Sequence, residues 1–173
     1  MQMVGSGEKI TGEELLKRYT AGERNFPLIT LNDEKSVLVG ADLSGINLMG
    51  AYLHYALWWN VNLSGACLLA AELSGVSMDG ADLSDADLTS ACLWGTNFTN
   101  ANLSNCILKG ANLRRAILWN ANLRGAVLDG AILAYADFTG AKYFTINQHM
   151  TGILFWNTTM PDGTVIEGPT YIN

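Results

Sequence analysis

The sequence has little of what most chemistry requires. It holds two histidines, three cysteines and three prolines in 173 residues. His54 and His149 stand in unrelated contexts with no second ligand at a metal spacing, so no metal site is expected. Three cysteines are an odd number at unremarkable spacings and make no disulfide framework. Free thiols point to a cytoplasmic protein. Only 15% of residues are charged, and the acidic net charge of −6 argues against direct nucleic-acid binding, because phosphates require a basic surface. No run approaches the ~18 apolar residues of a membrane span, so no membrane association is expected. The first thirty residues mix Glu8, Glu13, Glu14 and Glu23 with Lys9, Lys17, Arg18 and Arg24, unlike a signal peptide. Gly5-Ser-Gly7 lacks the preceding strand and the remaining glycines of a phosphate loop. No cofactor and no catalytic residue emerges. Disorder is excluded as well, because 49% of the chain is apolar.

What the sequence does have is a repeat. From Ser36 to Thr145 it divides without a gap into 22 units of five residues. The third position is Leu in 17 of 22 and the first is Ala in 16 of 22. The second is Asp or Asn in 10 of 22. A period of five matches neither an α-helix nor continuous strand alternation, but it fits a short strand plus a corner. Positions one and three then point inward and position two outward. Positions four and five, rich in Gly, Ser, Asn and Thr, suit the turn.

The centres that depart from Leu set the number of sides. Trp58, Met78, Phe98 and Phe138 recur at every fourth unit or a multiple of it, with Leu38 and Leu118 filling the same column. Large side chains stack once per coil, so a coil is four units long and has four sides. The 22 units make 5.5 coils, or about 26 Å of tube at the ~4.8 Å spacing of paired backbones.

These A-[D/N]-L-x-x units resemble the pentapeptide-repeat family over 110 of 173 residues. The resemblance implies an all-β fold, a right-handed quadrilateral parallel β-helix of 5–6 coils, the hand that strand chirality also favours. Glu14–Phe26 and Met160–Thr164 are similar to the flanks of cyanobacterial members.

Three regions are expected: an N-terminal cap over residues 1–35, the coil over 36–145 and a C-terminal cap or tail over 146–173. Thr11-Gly-Glu-Glu14 has the spacing of a capping box, predicting a helix over about 12–21 with Gly22 as its stop. Leu15, Leu16 and Tyr19 give it an apolar stripe to lid the first coil, whose exposed backbone edges invite association otherwise. Phe26 and Leu31 read as centres of two degenerate units within about 24–33, two residues out of frame, with a bulge over Asn32–Lys35. Ile153–Trp156 reads as the second lid, followed by a turn at Pro161-Asp-Gly163.

Charge is segregated along the tube. Residues 36–105 carry −6 and residues 106–145 carry +3. Asp79, Asp82, Asp85 and Asp87 lie around one coil. Outward aromatics and arginines, the composition of interface hot spots, gather in Tyr52, Tyr55, Trp94, Arg114, Arg115 and Tyr135 on one side, with Trp119 on another. Val37, Val39, Leu57 and Trp59 make a second apolar group near the N-terminal lid. Cys106 falls inward as an inert thiol, and Cys67 and Cys92 fall outward with nothing to lower their pKa.

The expectation is a non-enzymatic scaffold or interaction module with a protein partner, and the charge segregation is compatible with a homodimer or end-to-end association. The alternative, implied by the resemblance, is a DNA mimic that occupies DNA gyrase as quinolone-resistance members do. Modest acidity, net positive last coils and the absence of a long loop separate this chain from that class.

Overall fold

The computed structural model describes residues 7–33, 36–146 and 151–172. Four columns of parallel bridges run along the molecule, each joining a second-position residue to its counterpart four units on, as in Asp42–Asn62–Asp82–Asn102–Asn122. One bridge per unit and four units per turn make each coil four-sided. We name the sides by their centres in one coil: Leu83, Leu88, Leu93 and Phe98.

The backbone hydrogen bonds of a unit are accounted for almost completely, as a buried chain requires. Position two donates to the coil before it (Asp82 N–H to Val61 C=O, 2.9 Å). Positions three and five donate to the coil after it (Leu63 to Asp82, 2.7 Å; Gly65 to Ser84, 2.8 Å). Position one closes the corner on the preceding centre (Ala66 to Leu63, 3.0 Å). That leaves the position-four N–H, and here the Asp/Asn preference acquires its cause. All ten of the second-position Asp and Asn residues accept this N–H through Oδ1, at 2.9–3.3 Å. They form Asx turns. The fifth residue lies in the left-handed region, at φ +65° in Gly45 and +54° in Asn60, where Gly and Asn are least strained.

The interior is a filled shaft. Leu38, Trp58, Met78, Phe98, Leu118 and Phe138 are all fully buried and share the Phe98 side. Alanines such as Ala81, Ala86 and Ala91 fill the corners between the leucines.

At the N-terminus, β1 (Lys9–Thr11) pairs in parallel with β2 (Thr30–Asn32), and α1 (Gly12–Thr20) follows β1 directly. The Thr11 hydroxyl caps α1 by accepting the Glu14 N–H at 3.2 Å, and Gly22 leaves the helix at φ +100°. Leu15 is fully buried beneath the helix. Arg18 ties the cap together, bonding Glu8 at 2.8 Å and Glu23 at 2.6 Å. Phe26 and Leu31 stand at centre positions, since Asn25 bridges Asn47 and Thr30 bridges Tyr52, each step longer than the regular one by the expected frame shift. Part of the expected bulge, Glu34 and Lys35, lies outside the described residues, as does His149.

The C-terminal end differs from the expectation in two ways. First, the repeat slips at Tyr143 rather than after Thr145. Tyr143, the expected last centre, is 66% exposed at φ +62°, and Phe144 takes the interior, stacked on Phe138. Second, Ile153–Trp156 is no lid. Ile132 bridges Leu154 and Asp137 bridges Thr159, with the same lengthened step as at the N-terminus, so the coil resumes for two further sides. Phe155 is a buried centre and Ile153 a buried corner. The edge is covered instead by the tail. There β6 (Thr170–Ile172) pairs antiparallel with β3 (Ile153–Phe155), and β5 (Val165–Ile166) with β4 (Thr158–Thr159). A two-residue insertion shifts the repeat out of phase, which is why counting in fives ends the coil at Thr145.

Candidate interaction surface

Most of the outward aromatics and arginines fall on the Leu93 side, because positions two, four and five of every fourth unit stand above one another. The Arg115 guanidinium lies between two rings, 5.9 Å from the Trp94 centroid and 5.8 Å from that of Tyr135. Trp94 is 42% and Tyr135 46% exposed, and Arg115 is exposed as well. Tyr135 in turn meets Trp156 at 6.0 Å. The result is a four-member row of neighbouring side chains, Trp94–Arg115–Tyr135–Trp156, along one corner.

Trp156 escapes a count in fives because the longer step hides its place. The signal was available: Ile153, Phe155, Thr158 and Met160 repeat the inward pair at positions one and three.

The same side continues upward with Tyr52, His54 and Tyr55, whose ring centroids are 6.1 and 6.2 Å apart in succession. Tyr55 lies over Gly75, where an added Cβ would sit 2.6 Å from two ring carbons. Arg114 is half-buried and bonds Asn112 Oδ1 at 3.4 Å. Among the described residues neither Arg114 nor Arg115 has a carboxylate partner, since the ion pairs lie in the N-terminal cap.

Trp119 is not brought into this group. It sits on the Phe98 side, 46% exposed, and its indole donates to Asp137. Trp59, on the same side, donates likewise to Ser77 Oγ at 2.7 Å. Val39, Leu57 and Trp59 remain exposed, while Val37 packs against the core.

The acidic residues are largely occupied by the coil itself. Asp82 Oδ1 accepts from Ser84 N and Asn102 Nδ2, at 2.9 and 3.0 Å. Asp87 accepts from Thr89 N, and Asp85 from Asn105 Nδ2 at 3.1 Å. Asp79 lines a shallow depression with Trp59, Asn60, Ser77 and Asn97. Two of these carboxylates reach the interior electrostatically: burial first, then Asp85 and Asp87, push the Cys106 thiol up to about 12. Cys92 is half-buried, 3.2 Å from Ser74 Oγ.

Among the described residues no group of three His, Cys, Asp or Glu side chains is placed to hold a metal. No helix among them is long and apolar enough to cross a membrane.

The family model for pentapeptide repeats matches in 8 copies, over residues 46–85, 66–105 and 106–142. This chain belongs to the pentapeptide repeat family. Members fold as right-handed quadrilateral β-helices and serve generally as structural or interaction modules. A pentapeptide repeat protein from the Arabidopsis thaliana thylakoid lumen is 34% identical, with a TM-score of 0.57, over 59% of this chain and 71% of that one. One from the cyanobacterium Cyanothece 51142 is 24% identical at TM-score 0.41, over 87% and 100%. A plasmid-mediated fluoroquinolone resistance protein is 14% identical at TM-score 0.38, over 88% and 78%. No curated protein matches.

Proposed function

We propose that this pentapeptide repeat protein is a non-enzymatic interaction module whose protein partner docks on the corner formed by Trp94, Arg115 and Tyr135. The single observation behind this is Arg115 between two exposed rings, with no carboxylate partner among the described residues. Cation–π attraction holds the guanidinium beside both rings, and its N–H groups, without a carboxylate partner among the described residues, suit carboxylate or carbonyl oxygens. A pre-ordered side chain loses less entropy on binding. The rigid coil adds to that pre-organisation.

The test compares baits in an extract of the native host. Wild type and a Trp59→Ala/Trp119→Ala control should recover the same partner, while Trp94→Ala/Arg115→Ala should lose it. Equal recovery by all three removes this corner from the account.

A second reading, a DNA mimic directed at DNA gyrase, is favoured by the −6 carried by residues 36–105 and opposed by the +3 of residues 106–145. In a supercoiling assay it requires inhibition, or protection from quinolone, at micromolar protein. The free thiols Cys67, Cys92 and Cys106 support a reducing, cytoplasmic compartment. Cell fractionation checks it.

A further inference from the structure

We propose that a second copy of this chain binds the Leu93 side, with the two tubes antiparallel about a two-fold axis that runs along the Cys92–Trp94 strand in the plane of contact. This rests on the docking corner above and names its occupant.

Register sets the pairing. Such an axis reverses the order of the coils and keeps each position across the side in place. A position-two residue one coil above the axis therefore faces the position-two residue one coil below it in the other copy. Glu72 stands at position two one coil above, and Asn112 at position two one coil below. The Arg114 guanidinium already reaches over to Asn112, bonding its Oδ1 at 3.4 Å. The operation thus brings Glu72 of one copy to Arg114 of the other, and symmetry makes the pair twice. Glu72 is half-buried, and among the described residues its side chain has no hydrogen bond or ion pair.

The position-five column agrees with the same operation. Arg115, one coil below the axis, faces Gly75, one coil above it in the other copy. Gly75 is covered by the Tyr55 ring, which is 73% exposed. Each Arg115 guanidinium accordingly meets a further aromatic face. At the axis the two Trp94 rings meet, and Gly95 beside them leaves open space, with nothing within 4 Å of an added Cβ.

Charge selects the antiparallel arrangement. An axis along the tube would instead set every coil against its own copy, gathering Arg114 and Arg115 of both chains at one level and both Glu72 at another. Like-charge repulsion disfavours that. The −6 of residues 36–105 and the +3 of residues 106–145 also oppose each other only when the tubes run in opposite directions.

The area sets the strength. Seven strands of about 10 Å, spaced ~4.8 Å, give a flat footprint on the order of 300 Å², against about 800 Å² per partner in a stable interface. The dimer is therefore reversible, seen at high concentration and weakened by salt, since its ion pairs join side chains that are only half-buried.

Sedimentation velocity of the full chain at low salt, over a concentration series, tests this. Wild type should sediment faster as concentration rises. Glu72→Arg and Arg114→Glu alone should each weaken self-association by about tenfold or more, and the double reversal should restore it. Circular dichroism of each variant confirms the coil. A wild type that stays monomeric throughout, or single reversals that associate as wild type does, overturns the assignment. A monomer whose corner still captures another protein removes the second copy alone. A corner inert in both assays removes the docking surface itself.

Discussion

The Phe144 ring stacks on that of Phe138, with centroids 4.2 Å apart and planes 15° from parallel. This contact closes the shaft where the repeat loses its phase. Phe144→Ala should therefore cost about 3 kcal/mol, as for other buried aromatics. Tyr143→Ala, one residue earlier and outside, should change stability far less. Chemical denaturation of the two variants measures both. Equal losses would restore Tyr143 to the interior.

Leu88 is fully buried and Ser90, on the same side, is exposed. Leu88→Asp places an unpaired charge in the shaft and should cost more than about 4 kcal/mol or prevent folding. Ser90→Asp should be tolerated, because Asp85 already occupies the same left-handed fifth position at φ +60°. Melting curves distinguish the two.

Trp58 is wholly buried, and its indole N–H finds no acceptor among the described residues. A buried unsatisfied donor costs roughly 1–3 kcal/mol. Phe at this site loses some packing, by about 1 kcal/mol, and removes that donor. Trp58→Phe should thus be neutral or stabilising, whereas Trp58→Ala should cost several kcal/mol. A large loss in Trp58→Phe would contradict the packing of this column, in which Phe98 and Phe138 already fit.

Two carboxylates give pH effects of opposite sign. Partial burial raises the pKa of Asp137, but side-chain bonds from Thr139 and Trp119 and the Thr139 N–H outweigh it and hold it below its usual 3.8. Its contribution is present above the unfolded value and lost as pH falls through the lowered one. Asp137→Asn should flatten the acid limb of a plot of melting temperature against pH. Asp33 is raised, by burial, against backbone bonds from Val37 and Leu38. Its contribution is present at low pH and lost as pH rises through the raised value. Asp33→Asn should accordingly stabilise at neutral pH.

The coil was legible because its period is strict. Every inward position from Leu38 to Phe138 follows from counting in fives, and the four-unit turn follows from Trp58, Met78 and Phe98. The reason for Asp and Asn at position two was not legible, since it lies in a position-four N–H that only the folded corner leaves unpaired. The continuation through Ile153–Met160 was hidden by two extra residues, and Trp156 with it. Counting showed which side Trp94, Arg115 and Tyr135 share, but not the placing of the guanidinium beside both rings, which depends on side-chain direction at the corner. Counting also set Trp119 apart, in the column of Leu57 and Ile117, but not the bond from its indole to Asp137.

Oxidative footprinting of the protein in native-host extract, against the purified protein at low concentration, bears most directly on the docking corner. Trp94 and Tyr135 should be protected in the extract, while Trp59 and Trp119 react equally in both. Equal modification of all four would contradict it.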